Sequence, residues 1–160
     1  LDKNEDPERK VNMDMKRMLF LCTHNSVRSQ IAEAFLRVLF GDRYDVWSAG
    51  TKPTEVNPFA IMVMAEEGIE LSSHYAKSVH SYTDYEFDSV VTMCSNIYQS
   101  CPYFNGAKNY IHEEFADPSL FQGTEQDIIN QFRKVRDEIK AWIIQTFGHE
   151  YRMSLEGYWE

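Results

Sequence analysis

The stretch Met18-Leu19-Phe20-Leu21-Cys22-Thr23-His24-Asn25-Ser26-Val27-Arg28-Ser29 decides how this chain is read. Its first four residues are an apolar run bounded by polar ones, the pattern of a parallel strand buried on both faces. After Ser29 the period changes. Ile31, Ala34, Phe35, Val38 and Leu39 recur at helical spacing, and Gly41 is placed to end that helix. Between strand and helix lies a short loop with Cys-x5-Arg spacing. A loop closing onto a helix N-terminus aims successive backbone N–H groups at one point, where the helix dipole adds partial positive charge. A tetrahedral oxyanion held there by the N–H groups of Thr23, His24, Asn25, Ser26, Val27, Arg28 and Ser29 can also be clamped bidentately by the Arg28 guanidinium. The same field stabilises a thiolate, so Cys22 is expected to be a nucleophile. Ser29 is placed to donate a hydrogen bond to its sulfur, and Asn25 to hold the loop's shape. The bare spacing is weak evidence; the strand before it, the helix after it and the closing Ser give it meaning.

Further along, Tyr44 to Ala49 reads as a second strand. Asn57-Pro58 looks like an N-cap with Pro at the first helical position, and Gly68 closes that helix. Phe87-Asp88-Ser89-Val90-Val91-Thr92-Met93 is the clearest strand and Asn109-Tyr110-Ile111 a weaker one. Ile128, Phe132, Val135, Ile139, Trp142 and Ile143 then mark a long amphipathic helix expected to end near Gly148. Strands alternating with helices predict a parallel sheet covered on both faces, with ligands beyond the carboxyl ends of the strands where strand order reverses. Cys22 and Cys94 each follow a strand directly. If those strands are neighbours, both sulfurs share one sheet edge.

The chain has 160 residues, enough for one compact domain. The expected organisation is a polar tail over residues 1–15, a catalytic α/β domain over 16–148 and a C-terminal tail over 149–160. A net charge of -9 argues against nucleic-acid and anionic-membrane partners, which need clustered Lys and Arg. It also means that an anion site must be local. The first residues lack the apolar core of a signal peptide, and no run of about 18 apolar residues occurs, so the expected location is the cytoplasm. In a reducing compartment the three cysteines are an unlikely structural framework, and catalytic, redox or buried thiols stay open. No Cys-x2-Cys or paired His spacing points to zinc.

The loop at Cys22 resembles the phosphate-binding loop of the low-molecular-weight tyrosine phosphatases and of the arsenate reductases that share their fold. The resemblance continues through Ser48-Ala49-Gly50-Thr51, Val56-Asn57-Pro58, Gly68-Ile69-Glu70-Leu71-Ser72 and His74. It extends to Phe115-Ala116-Asp117-Pro118 and the run Phe132 to Ile139, covering roughly residues 16 to 147. It implies a single-domain, open, four-stranded parallel sheet of strand order 2-1-3-4 flanked by helices. It also implies that Asp117 is the acid for the leaving oxygen. Two departures stand out: His24 sits where the family usually has Gly, and Val27 where many members carry Cys.

Cys94-Ser95-Asn96-Ile97-Tyr98-Gln99-Ser100-Cys101, with Pro102 after it, resembles the redox segment of thioredoxin-coupled arsenate reductases. The segment after Asp117-Pro118 lacks the paired tyrosines typical of the phosphatases. The resemblance therefore implies reduction of arsenate to arsenite by a relay of Cys22, Cys94 and Cys101, regenerated by thioredoxin, with no bound cofactor. The alternative is a tyrosine phosphatase that hydrolyses phosphomonoesters through a Cys22 phosphocysteine. Asn25, Glu33 and Ser48 match positions that line a potassium site in part of the family. Lys77 falls where the remaining carboxylate would be, so its ammonium is expected to replace the ion and no metal is expected to be required. Cys94 and Cys101 are seven positions apart, about 10 Å along a helix, whereas a disulfide needs Cα atoms within roughly 7 Å. A helical segment would have to unwind, which predicts mobility from residue 95 to about residue 108.

Overall fold

The computed structural model describes residues 15–94 and 104–156, with side chains to residue 149. Four parallel strands, β1 (Lys16–Cys22), β2 (Tyr44–Gly50), β3 (Phe87–Thr92) and β4 (Ala107–His112), form one sheet in the order β2-β1-β3-β4. This is the expected topology. The helices are α1 (Arg28–Phe40), α2 (Pro58–Ala65) and α3 (Glu125–Glu156). Short 3₁₀ helices at Val79–Tyr82 and Pro118–Leu120 complete the described elements.

The central strand β1 explains its own sequence. Met18 and Phe20 enter one core with Ile31, Phe35, Phe132, Ile139 and Ile143, while Leu19 and Leu21 enter the other with Phe87, Val90 and Phe104. Both faces are covered, so alternation disappears and the run is continuously apolar. The edge strand β4 is the opposite case. Its Tyr110 is half exposed and its Lys108 and Asn109 face solvent, which is why its pattern is faint.

Asn57 caps α2 as expected, its Oδ1 accepting from Phe59 N–H at 2.9 Å. At the other end Gly68 adopts φ 74°, Gly68 N–H donates to the Ala65 carbonyl, and Ile69 N–H donates to that of Met64. That Schellman arrangement requires the left-handed conformation glycine accepts without strain. Glu66, just past α2, binds Arg133 and Arg136 of α3 at 2.7 and 2.8 Å and fastens the two helices together.

Three expectations change. In α1 the buried stripe is Ile31, Ala32, Phe35, Leu36 and Phe40, while Val38 and Leu39 are exposed. Leu36 and Phe40 complete the i, i+4 row that starts at Ala32, which turns the helix away from the stripe anticipated. Helix α3 does not stop at Gly148 but runs to Glu156, so the expected tail from 149 begins inside it. Gly148 has no left-handed φ and lies against the Phe40 ring, where an added Cβ would sit 3.4 Å from the ring. One glycine costs about 1 kcal/mol relative to Ala, which a long helix absorbs. Finally, the segment expected to be mobile is anchored at its far end. Phe104 is buried edge-on against Phe87, and Ala107 and Lys108 already belong to β4. Residues 95–103 of that segment lie outside the described residues, as do residues 1–14.

Candidate active site

Cys22 ends β1, and the loop after it folds back over the carboxyl end of the sheet. The loop's carbonyls are tied outward. Lys52 N–H donates to the Thr23 carbonyl at 2.9 Å, Thr54 N–H to that of His24 at 3.2 Å and Asn57 N–H to that of Ser26 at 3.0 Å. Gln30 Nε2 donates to the Asn25 carbonyl at 3.2 Å. A trans peptide carries its N–H opposite its C=O. The N–H groups of His24, Asn25, Ser26 and Val27 are therefore turned away from those partners, toward the loop's hollow. Val27, at the N-terminus of α1, makes no side-chain cap, so the first turn's N–H groups also stay available. Such convergent donors suit a tetrahedral oxyanion.

Asn25 is the pivot. It is the one non-glycine with positive φ among the described residues, at 49°, and it is fully buried. Its Nδ2 donates to Ser29 Oγ at 2.8 Å, while its Oδ1 accepts from Gln30 Nε2 at 3.0 Å and from Lys77 N–H at 2.9 Å. Gly50 makes room for this loop: a Cβ there would stand 2.5 Å from the Thr23 carbonyl oxygen and 2.9 Å from Asn25 N.

Cys22 Sγ lies 2.8 Å from Ser29 Oγ. A thiolate only accepts, so with Cys22 ionised the Ser29 hydroxyl donates to sulfur. Arg28 is buried and held from behind, its Nη1 donating to the carbonyls of Met93 and Phe115 at 3.2 Å each. Its Nη2 faces Asp117 Oδ2 at 3.5 Å. The other carboxylate oxygen of Asp117 accepts from Ser119 N–H at 3.0 Å and Ser119 Oγ at 2.6 Å. That leaves Oδ2 as the oxygen turned toward Arg28 in the cleft. Cys22, His24, Arg28 and Asp117 share a cleft of about 160 Å³, walled further by Ser26, Val27, Thr54, Asn57 and Ser119.

Cys94 is buried two residues past β3. Leu21 pairs with Thr92, and Met93 N–H donates to the Leu21 carbonyl at 2.9 Å. Cys22 and Cys94 thus leave the same edge of the sheet on adjacent strands, whose spacing is about 4.8 Å. Cys101 lies outside the described residues.

The residues matched to a cation site surround Glu33, which is buried. Ser48 Oγ donates to its Oε2 at 2.9 Å and Arg37 Nη2 to its Oε1 at 2.9 Å. Lys77 Nζ stands 3.8 Å from Oε2 and donates to the Tyr75 carbonyl at 3.1 Å. His74 Nδ1 lies 3.9 Å from the same oxygen, and burial pushes its pKa below the usual histidine value. Three cationic or basic side chains therefore crowd one carboxylate. Among the described residues, no group of three His, Cys, Asp or Glu side chains could hold a metal ion, and no helix is long and apolar enough to cross a membrane.

Sequence reasoning missed Gln30, Thr54 and Ser119. Thr54 and Ser119 enter the cleft from remote loops, and Gln30 holds the Asn25 carbonyl and side chain without lining the cleft itself, so no local spacing announces any of them.

The comparisons with known proteins agree with this geometry. The chain is 40% identical over 137 residues to arsenate reductase 1 of Staphylococcus epidermidis, covering 86% of this chain and 98% of that one. A solved arsenate reductase in its phosphate-binding state superposes with a TM-score of 0.71 at 27% identity, covering 84% of this chain and 98% of that one. A thioredoxin-dependent arsenate reductase of Corynebacterium glutamicum gives 0.59 at 30% identity, covering 86% and 66%. The model of one family, the low molecular weight phosphotyrosine protein phosphatases, matches residues 17–153. The strand order, the loop on Cys22 and the extent of that match together make this chain a member of the low molecular weight phosphotyrosine protein phosphatase family.

Proposed function

We propose that this protein is a cytoplasmic arsenate reductase that passes electrons from thioredoxin to arsenate through Cys22, Cys94 and Cys101. The Cys22 thiolate attacks arsenic in the loop, and Asp117 protonates the departing oxygen, which leaves as water. Arg28 and the inward N–H groups hold the remaining oxygens. Cys94 then attacks Cys22 Sγ. The S–As bond breaks with its electron pair going to arsenic, so As(V) becomes As(III), arsenite departs and a Cys22–Cys94 disulfide remains. Cys101 attacks Cys94 Sγ, releasing Cys22 as thiolate, and the Cys94–Cys101 disulfide is reduced by the thioredoxin dithiol.

The observation that carries this reading is the buried Cys94 at the end of β3, beside the strand that ends in Cys22. Hydrolysis of a phosphate ester needs Cys22, Arg28 and Asp117 and has no use for a second thiol there. The relatives named as arsenate reductases, one of them thioredoxin-dependent, support the same assignment.

The test is thioredoxin-dependent arsenate turnover in wild type and Cys101→Ser, with disulfides mapped by mass spectrometry after a single turnover. Wild type should accumulate Cys94–Cys101, and Cys101→Ser should stall as Cys22–Cys94. Unchanged turnover in Cys101→Ser would defeat the relay.

A further inference from the structure

We propose that the His24 side chain limits this site to inorganic tetraoxyanions by occupying the space that an ester's leaving group would need. The inference rests on the assignment of the Cys22 loop as an oxyanion site and adds the determinant of its selectivity.

An oxyanion on this loop has its non-leaving oxygens turned to the backbone N–H groups and Arg28, so its leaving oxygen must face Asp117. Whatever is bonded to that oxygen projects outward through the mouth of the cleft. For arsenate it is a hydrogen. For a phosphate monoester it is a carbon skeleton. The two reactions thus differ, within the cleft, mainly in the volume needed at the mouth.

His24 stands there. It is exposed, yet it lines the same cleft as Cys22, Arg28 and Asp117. Its backbone cannot drift aside: its carbonyl is bound by Thr54 N–H at 3.2 Å, and the next residue, Asn25, is fixed by four side-chain and backbone hydrogen bonds. His24 itself has no left-handed φ, so an imidazole at this position carries no backbone strain. Thr54, Asn57 and Ser119 line the same cleft. The cleft they leave is about 160 Å³, well under the roughly 300–1,000 Å³ of sites that take larger organic ligands. A tetraoxyanion fits that space; an aryl ring on its leaving oxygen competes with the imidazole.

The probe is p-nitrophenyl phosphate. In its hydrolysis the Cys22 thiolate displaces the aryloxide, Asp117 protonates the aryloxide oxygen, and water then cleaves the S–P bond to release phosphate. The readout is the ratio of kcat/KM for thioredoxin-coupled arsenate reduction to kcat/KM for this ester, in wild type, His24→Gly and His24→Phe. Removing the ring in His24→Gly should lower the ratio at least tenfold, through a gain in ester hydrolysis. His24→Phe keeps the bulk without the imidazole nitrogens and should retain the wild-type preference. Ester hydrolysis that does not rise in His24→Gly overturns the proposal, as does a His24→Phe enzyme that behaves like His24→Gly. Wild type that reduces no arsenate would instead remove the underlying functional reading, so the two failures are distinct.

Discussion

Ser29 Oγ sits 2.8 Å from Cys22 Sγ while accepting a 2.8 Å hydrogen bond from Asn25 Nδ2. The amide fixes the hydroxyl's lone pair and leaves its proton to point at sulfur. A hydrogen bond to a charged group contributes about 1.5–3 kcal/mol, and each 1.36 kcal/mol is about tenfold in rate. Ser29→Ala should therefore slow the first chemical step by roughly ten- to a hundredfold, read as single-turnover arsenite formation. An unchanged rate would mean that the thiolate is held by the backbone donors alone.

Asp117 keeps one oxygen engaged by Ser119 and turns the other toward Arg28. Asp117→Asn preserves size and the Ser119 contacts but has no acidic proton. Arsenate turnover should fall by roughly 10²–10⁴, while phosphate, tested as a competitive ligand by calorimetry, should still bind. Loss of both together would point to a collapsed loop rather than a missing acid.

The ammonium of Lys77 lies near Glu33 in the region matched to a cation site, and its backbone N–H is bonded to Asn25. Exchanging sodium for potassium chloride at constant ionic strength should leave turnover unchanged. Lys77→Ala removes a cation that accompanies a buried carboxylate and should lower the thermal midpoint, Glu33 keeping Arg37 and Ser48 as partners. A potassium-specific rise in wild-type activity would show that an ion enters beside Lys77.

His74 and Glu66 contribute to the acid side of the stability curve at different pH, and Glu70, held below the usual glutamate value by its hydrogen bonds with Ser72, adds to the lower window. His74 has its folded pKa pushed below 6.5 by burial, so the folded state resists its protonation. Its contribution is fully present above pH 6.5 and is lost as pH falls below that value. Glu66 is held down at about 2 by its hydrogen bond from Arg133, with Arg136 acting in the same direction. Its contribution is present above pH 4.5 and is lost between 4.5 and about 2. Urea midpoints measured from pH 8 to pH 3 should therefore fall in two stages. His74→Gln should flatten the upper stage and Glu66→Gln the lower; the reverse pairing would show the assignments to be wrong.

Much of this was written in the chain, for identifiable reasons. The run from Met18 to Leu21 announced a strand because burial on both faces leaves no room for polar alternation. The Cys22 loop was legible because its function depends on residues consecutive in sequence. Asn57 and Gly68 announced their caps because capping is local chemistry. What stayed hidden is long-range. Arg28 is aimed by the carbonyls of Met93 and Phe115, and a carbonyl looks the same in every residue. Thr54 and Ser119 reach the cleft only once the chain has folded. The exposed Val38 and Leu39 misled because apolar periodicity specifies that a stripe exists, and only packing decides which of two adjacent rows is buried.

Because one guanidinium nitrogen is anchored to the carbonyl of Met93, the proposed anion clamp rests on the main chain immediately preceding Cys94. Met93 itself is wholly enclosed in the larger hydrophobic core and lines no part of the cleft. A change in the volume of that methionine would thus tilt the arginine and weaken oxyanion capture while leaving every residue that meets the ligand chemically intact. Interior packing and the aim of the Arg28 guanidinium are, at this one peptide, the same variable.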